Sequence, residues 1–203
     1  MNVVDQVTLW AKYNRVTATL ITLSILVALI SKFGRDFQFL HVLFISEYRQ
    51  GLPEIIHGQI WRLFTPIIIH FGIMHIVFNM LWLYQLGSAV EQRQNRKRML
   101  ILVLIISVLS NLAQFFWSGP IFGGMSGVVY GLLGYVWAQG KFNPGTGIGL
   151  NQSTTMMMLI WFVVCWMGLV GNIANMAHTV GLVCGVVLGM LYSPQLFRKI
   201  KYR

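Results

Sequence analysis

Acid is scarce in this chain. Its 203 residues include five Asp and Glu against fifteen Lys and Arg, and charged residues make up 10% of the total. An ordinary soluble domain carries about 25%. The five acids are Asp5, Asp36, Glu47, Glu54 and Glu91. None lies within a long apolar run, apart from Glu91 at the end of one, which argues against a transporter or channel that relays ions along intramembrane carboxylates. Cysteine is nearly absent too. Cys165 and Cys184 both fall in apolar segments and read as small buried residues, not as a disulfide or a metal site. No Cys/His cluster has zinc spacing and no His-Glu-x-x-His occurs, so neither metal nor cofactor is expected. No small-x-small cleavage site follows the first apolar run, which passes into Ser31-Lys32-Phe33, so it does not read as a removed signal peptide. No polar, loop-rich stretch is long enough for a second domain. A single domain over 1–203 is expected, with no soluble domain ahead of its first span, because only about 15 residues precede it.

What is present is apolar: 56% of the chain is hydrophobic. This predicts an all-α polytopic membrane protein with six spans at about 14–32, 67–91, 99–117, 123–140, 154–170 and 174–192. A spanning helix needs ~20 residues, with a lower limit of ~17. Residues 33–66 are too polar to span and too apolar for a free linker. Short amphipathic helices lying in the interface fit them best. Glu91 to Arg98 reads as a tight basic turn, and Asn143-Pro144-Gly145 and Gly171 to Asn175 as further turns.

The net charge of +10 does not imply nucleic acid, because the basic residues flank apolar segments. They set orientation instead. With six spans, Lys12, Arg15, Arg93, Arg96, Lys97, Arg98, Lys141, Arg198, Lys199, Lys201 and Arg203 share one side with both termini, and Lys32, Arg35, Arg49 and Arg62 lie on the other. That bias places the termini in the cytoplasm and the 33–66 loop outside.

The densest glycine stretch runs from Gly123 to Gly134 and contains Ser126. Each glycine costs a helix about 1 kcal/mol relative to alanine, so five in twelve residues need a reason. Gly123, Gly127 and Gly131 are four apart and are expected on one helix face; Gly181, Gly185 and Gly189 offer the same spacing. Two such faces let helices approach closely, and His178 lies three residues before Gly181. The topology brings Ser126, His178, His75 and Asn79 to similar depth on the outer side. Polar residues at such positions are functional by default. Serine needs an imidazole to take its proton, which suits His178. A tetrahedral intermediate needs donors at its oxyanion. His75 and Asn79, four apart on one face, supply two, and the backbone N–H of Met125 or Ser126 can add to them. No carboxylate is at hand, so the arrangement is a Ser–His dyad. His70 and Arg62 read as anchors of the outer loop.

At these residues the chain resembles a rhomboid intramembrane serine protease of the bacterial GlpG type. The matching motifs are Trp61-Arg62, the His70/His75/Asn79 pattern, Gly124-Met125-Ser126-Gly127 and Ala177-His178-Thr179-Val180-Gly181. The resemblance implies a six-helix bundle around a water-filled cavity in a bacterial inner membrane. It implies that Ser126 is the nucleophile and His178 the base, with His75 and Asn79 in the oxyanion hole. It implies that Tyr130 stacks on the His178 ring, that Gly124, Gly181 and Gly185 support the site, and that Phe78 and Trp161 form a lateral gate. Its substrates would be single-span membrane proteins, cut near the outer face. One departure is Pro66, where the family often has histidine. A catalytically inactive relative that binds membrane helices is the alternative.

Overall fold

Asn2 accepts from the Asp5 backbone N–H at 2.8 Å, and the Asp5 carboxylate accepts the Asn2 N–H in return at 3.1 Å. This reciprocal cap starts α1, Val3–Tyr13. The computed structural model describes residues 2–171 and 173–193. The basic tail with Arg198, Lys199, Lys201 and Arg203, and Asn172, which the sequence reading put in a turn, lie outside the described residues. Eight more α-helices follow: α2 Arg15–Ile30, α3 Phe37–Leu40, α4 Pro53–Ile56, α5 Ile73–Arg93, α6 Arg96–Ser118, α7 Ser126–Phe142, α8 Gln152–Trp166 and α9 Asn175–Leu191. Among the described residues there is no strand. α5 and α6 are each long and apolar enough to cross a membrane; α8 and α9 are apolar but shorter.

Several expected boundaries shift. The chain ahead of α2 is helical, and α1 meets α2 at a 114° bend. Trp10 docks α1 on α5, donating to Ser88 Oγ at 3.0 Å and packing on Tyr84 with ring centroids 4.8 Å apart. The helix expected from residue 67 starts at Ile73, because Gly72 at φ +95° breaks the chain there. His70 therefore lies ahead of α5 and not in it. The basic turn shrinks to Gln94 and Asn95: Asn95 caps Arg98 at 2.9 Å, so Arg96, Lys97 and Arg98 open α6. α8 ends at Trp166, before Gly168.

Residues 33–66 hold only single turns, α3 and α4 and two 3-10 turns at Ile60–Leu63 and Thr65–Ile68. Arg62 organises them. Its buried guanidinium donates to the His41 and Phe44 carbonyls, to Gln59 and to the Glu47 carboxylate at 3.0 Å.

α7 is the central helix, with twelve of its seventeen residues buried. It packs on α9 through glycine. A methyl at Gly181 would run into the carbonyl oxygen of Gly127, and one at Gly185 into that of Gly131. Gly123 is not on this face. α7 starts at Ser126, and Gly123 in the preceding loop lies against Ile69, whose Cβ a methyl would meet at 2.6 Å. At the opposite end of α7, Gln139 donates to the Gly189 carbonyl at 2.7 Å and accepts from Gln94 at 3.0 Å, tying α7, α9 and the end of α5 together. Glu91, buried near the end of α5, accepts from the Val16 and Thr17 backbone N–H groups and the Thr17 hydroxyl at 2.9–3.0 Å. It thus satisfies the open first turn of α2. α8 is weakly held: among its fifteen residues only Met158 and Cys165 are buried.

Candidate active site

Ser126 is the first residue of α7, and the loop before it is held from below by the segment ahead of α5. Gly124 donates its N–H to the Pro66 carbonyl at 3.0 Å. The Met125 N–H donates to Nε2 of His70 at 3.4 Å, and Nδ1 of His70 faces the Ile68 carbonyl at 3.2 Å. Those two contacts set the tautomer of His70, with Nδ1 protonated and Nε2 accepting. They also correct the sequence reading of His70 and narrow that of the helix start. His70 anchors the loop that carries the serine, not the outer loop. The Met125 N–H is occupied, which leaves the Ser126 N–H as the backbone donor at the helix start. Pro66 contributes a carbonyl, which any residue type supplies; this is why a departure in side chain at that position leaves the loop supported.

His75, in the first turn of α5, is oriented in the opposite sense. Its Nδ1 accepts the Phe71 backbone N–H at 3.2 Å, which puts the ring proton on Nε2. Nε2 looks at Gly124: a methyl there would lie 2.7 Å from Nε2 of His75 and 3.6 Å from Oγ of Ser126. His75 and Ser126 thus flank one point. Gly124 sits at φ +129°, a conformation that side-chain-bearing residues rarely adopt. Asn79, one turn on, donates from Nδ2 to the His75 carbonyl at 2.9 Å, which uses one of its two amide hydrogens.

His178, the fourth residue of α9, is buried, with its ring centroid 4.7 Å from that of Tyr130. Tyr130 is one turn along α7 from Ser126, so the stack holds the imidazole beside the start of α7. Tyr130 is itself fixed by its hydroxyl, 3.3 Å from the Met158 carbonyl of α8. Gln114 of α6 accepts the Ala177 N–H at 3.0 Å, pinning the α9 backbone next to His178. Sequence reasoning gave Gln114 no role; it is one of several polar residues, with Ser107, Ser110 and Asn111, inside the apolar run of α6. Nδ1 of His178 is buried and has no hydrogen-bond partner. No group of three or more His, Cys, Asp or Glu suited to a metal comes together among the described residues.

Phe78 and Trp161 are 50% and 49% exposed, and among the described residues neither ring stacks on another aromatic. They do not meet as a closed pair in this structure.

A family model described as Rhomboid domain matches residues 57–195. The chain belongs to the rhomboid family. The match takes in α5 through α9 and every residue of the site, and leaves out α1 and α2. Rhomboids are typically serine proteases that act on membrane proteins within the membrane, and inactive members exist. In this rhomboid the candidate residues Ser126, His178, His75 and Asn79 lie on three helices, and glycine at 124 leaves room beside His75 while glycine at 127 and 181 lets α7 and α9 approach closely.

Proposed function

We propose that this protein is an active intramembrane serine endopeptidase of the GlpG type, formed as one rhomboid domain over 1–203. In this reading α2 and α5 to α9 are six spans of a bacterial inner membrane, with both termini cytoplasmic and the 33–66 loop outside. Ser126 Oγ attacks a peptide carbonyl of a single-span membrane protein near the outer face. His178 takes the hydroxyl proton as the Oγ–C bond forms, then delivers it to the leaving amine as the C–N bond breaks. Water repeats the exchange and releases the acyl group from Ser126. The oxyanion is met by His75 Nε2–H, the Ser126 N–H and the free hydrogen of the Asn79 amide. Loss of one such donor costs about 100- to 1000-fold in rate.

The observation that carries this reading is the tautomer of His75. The Phe71 N–H on Nδ1 leaves a donor on Nε2, on the ring edge that lies against Gly124, whose other neighbour is the Ser126 hydroxyl.

The test is covalent labelling by a fluorophosphonate probe in detergent, with cleavage of a model transmembrane substrate in parallel. The native chain should label at Ser126 and cut. Ser126→Ala should do neither, and His178→Ala should fall close to background. A folded native chain that neither labels nor cuts would mean an inactive rhomboid that binds membrane helices.

A further inference from the structure

The dyad lacks the group that normally fixes the base. Two buried polar atoms without a hydrogen-bond partner lie within one turn of α9: Nδ1 of His178 and Oδ1 of Asn175. They are complementary. An amide oxygen only accepts, and Nδ1 carries the proton of a neutral imidazole whose Nε2 serves as the base. They are also close along the helix. Residues three apart share a helix face, and helical side chains lean toward the N-terminus, the direction of Asn175 from His178. A buried donor and a buried acceptor are each costly unpaired, and one pairing removes both costs.

The Asn175 amide cannot turn the other way round. Its Nδ2 donates at 3.1 Å to the carbonyl of Cys165, near the end of α8. A carbonyl accepts only from the nitrogen, so this contact settles which end of the amide is free, and the free end is the oxygen.

We infer that Asn175 is the positioning residue for the base: its Oδ1 accepts the Nδ1–H of His178 through one bridging water, and so holds Nε2 toward Ser126. The inference rests on the Ser126–His178 reading above. An amide oxygen does this work in Cys–His–Asn sites. Being neutral, it orients the ring and selects the tautomer while lending the imidazolium less charge stabilisation than a carboxylate does. The same amide ties the alignment of the base to the end of α8.

The experiment compares the full chain with Asn175→Ala and Asn175→Asp in detergent. It reads the fluorophosphonate labelling rate per folded molecule, kcat and KM on a soluble peptide substrate, and thermal stability. Asn175→Asp separates the two jobs of the side chain. It keeps an oxygen acceptor for Nδ1–H but replaces the donor on the Cys165 carbonyl with a second acceptor. Asn175→Ala is expected to slow labelling and kcat by about tenfold or more, part of the 100- to 10,000-fold that a general base supplies, with KM unchanged. Asn175→Asp is expected to regain most of the native labelling rate even though its stability drops. If Asn175→Asp labels as slowly as Asn175→Ala, the tie to Cys165 is what matters and the inference is overturned. Native labelling in Asn175→Ala, with none in Ser126→Ala, would overturn it while leaving the dyad standing. A folded native chain that does not label at all overturns the dyad reading first and this inference with it.

Discussion

A methyl on Gly124 would lie 2.7 Å from Nε2 of His75, inside any real contact distance. The glycine is therefore a spacer between the helix of Ser126 and the imidazole of α5. Its φ of +129° adds a second reason for glycine. Gly124→Ala is expected to push His75 and Ser126 apart. A misplacement of 1 Å can cost about 100-fold. The measurement is kcat on a transmembrane substrate, with thermal stability as the control; native kcat in the folded variant would remove His75 from the site.

The close contact of α7 and α9 gives a second expectation. Gly185→Ala drives a methyl against the Gly131 backbone, and Gly181→Ala drives one against that of Gly127. Backbone cannot yield as a side chain tip does, so the helices must separate. Overpacking of this kind costs typically about 1–3 kcal/mol. Both variants should melt at lower temperature and cut more slowly. Gly149→Ala is the control: its nearest neighbour to a new methyl is 3.8 Å away, and it should behave as native. Equal melting temperatures across all three would mean that the glycine faces do not hold the bundle.

The outer loop should be acid-sensitive through Glu54. Burial works against its carboxylate, but the Glu47 N–H at 2.7 Å, its own backbone N–H, the Ser46 hydroxyl at 2.9 Å and the charge of Arg62 outweigh it. The folded pKa is held below its ordinary value of 4.5. A group depressed in this way contributes stability that is complete above the unfolded pKa and is lost as pH falls through the folded one. Comparing melting temperatures at neutral pH and below 4.5, native protein should lose more than Glu54→Gln. An equal loss in both would show that Glu54 is not the loop's acid-sensitive group.

The looseness of α8 leads to a prediction about substrate access. Only two of its side chains are buried, and Phe78 and Trp161 are half exposed without stacking partners. In the proposed protease a substrate helix in lipid would reach Ser126 sideways, and α8, with two of its fifteen residues buried, is weakly held by its neighbours. Trimming Phe78 and Trp161 to Ala should speed cleavage of a membrane-embedded substrate and leave a short soluble one nearly unchanged. A disulfide joining α5 and α8 should slow the former. An unchanged ratio of the two rates would exclude this face as the door.

How much of this was legible in the chain varies with the physics behind each signal. Glycine at four-residue spacing is read directly, because only close backbone approach explains it, and Gly127, Gly131, Gly181 and Gly185 do lie at one contact. Gly123 misled, because spacing is blind to where a helix begins, and α7 begins at Ser126. The start of α5 was hidden for a related reason. Ile67, Ile68 and Ile69 extend the apolar run without a break in hydropathy, while the reversal at Gly72 is a matter of backbone angle. α1 carried its signal openly in Asn2 and Asp5, an N-cap and its reciprocal partner three residues on, but at eleven residues it is too short to read as a span. His70 was visible as a residue and not as a role. What it holds, the Met125 N–H, is 55 residues away, and no local pattern encodes that.

The Glu91 cap on α2 bears on the order in which the molecule is made. The amides of Val16 and Thr17 wait for a carboxylate 75 and 74 residues further along the chain. At about 5–20 residues per second, that gap is roughly 4–15 s of translation. During that interval α2 has left the ribosome with an open first turn, and water or lipid headgroups must serve those amides. Until α5 is made, those amides have no carboxylate to bond. The second helix of this protein is finished by the fifth.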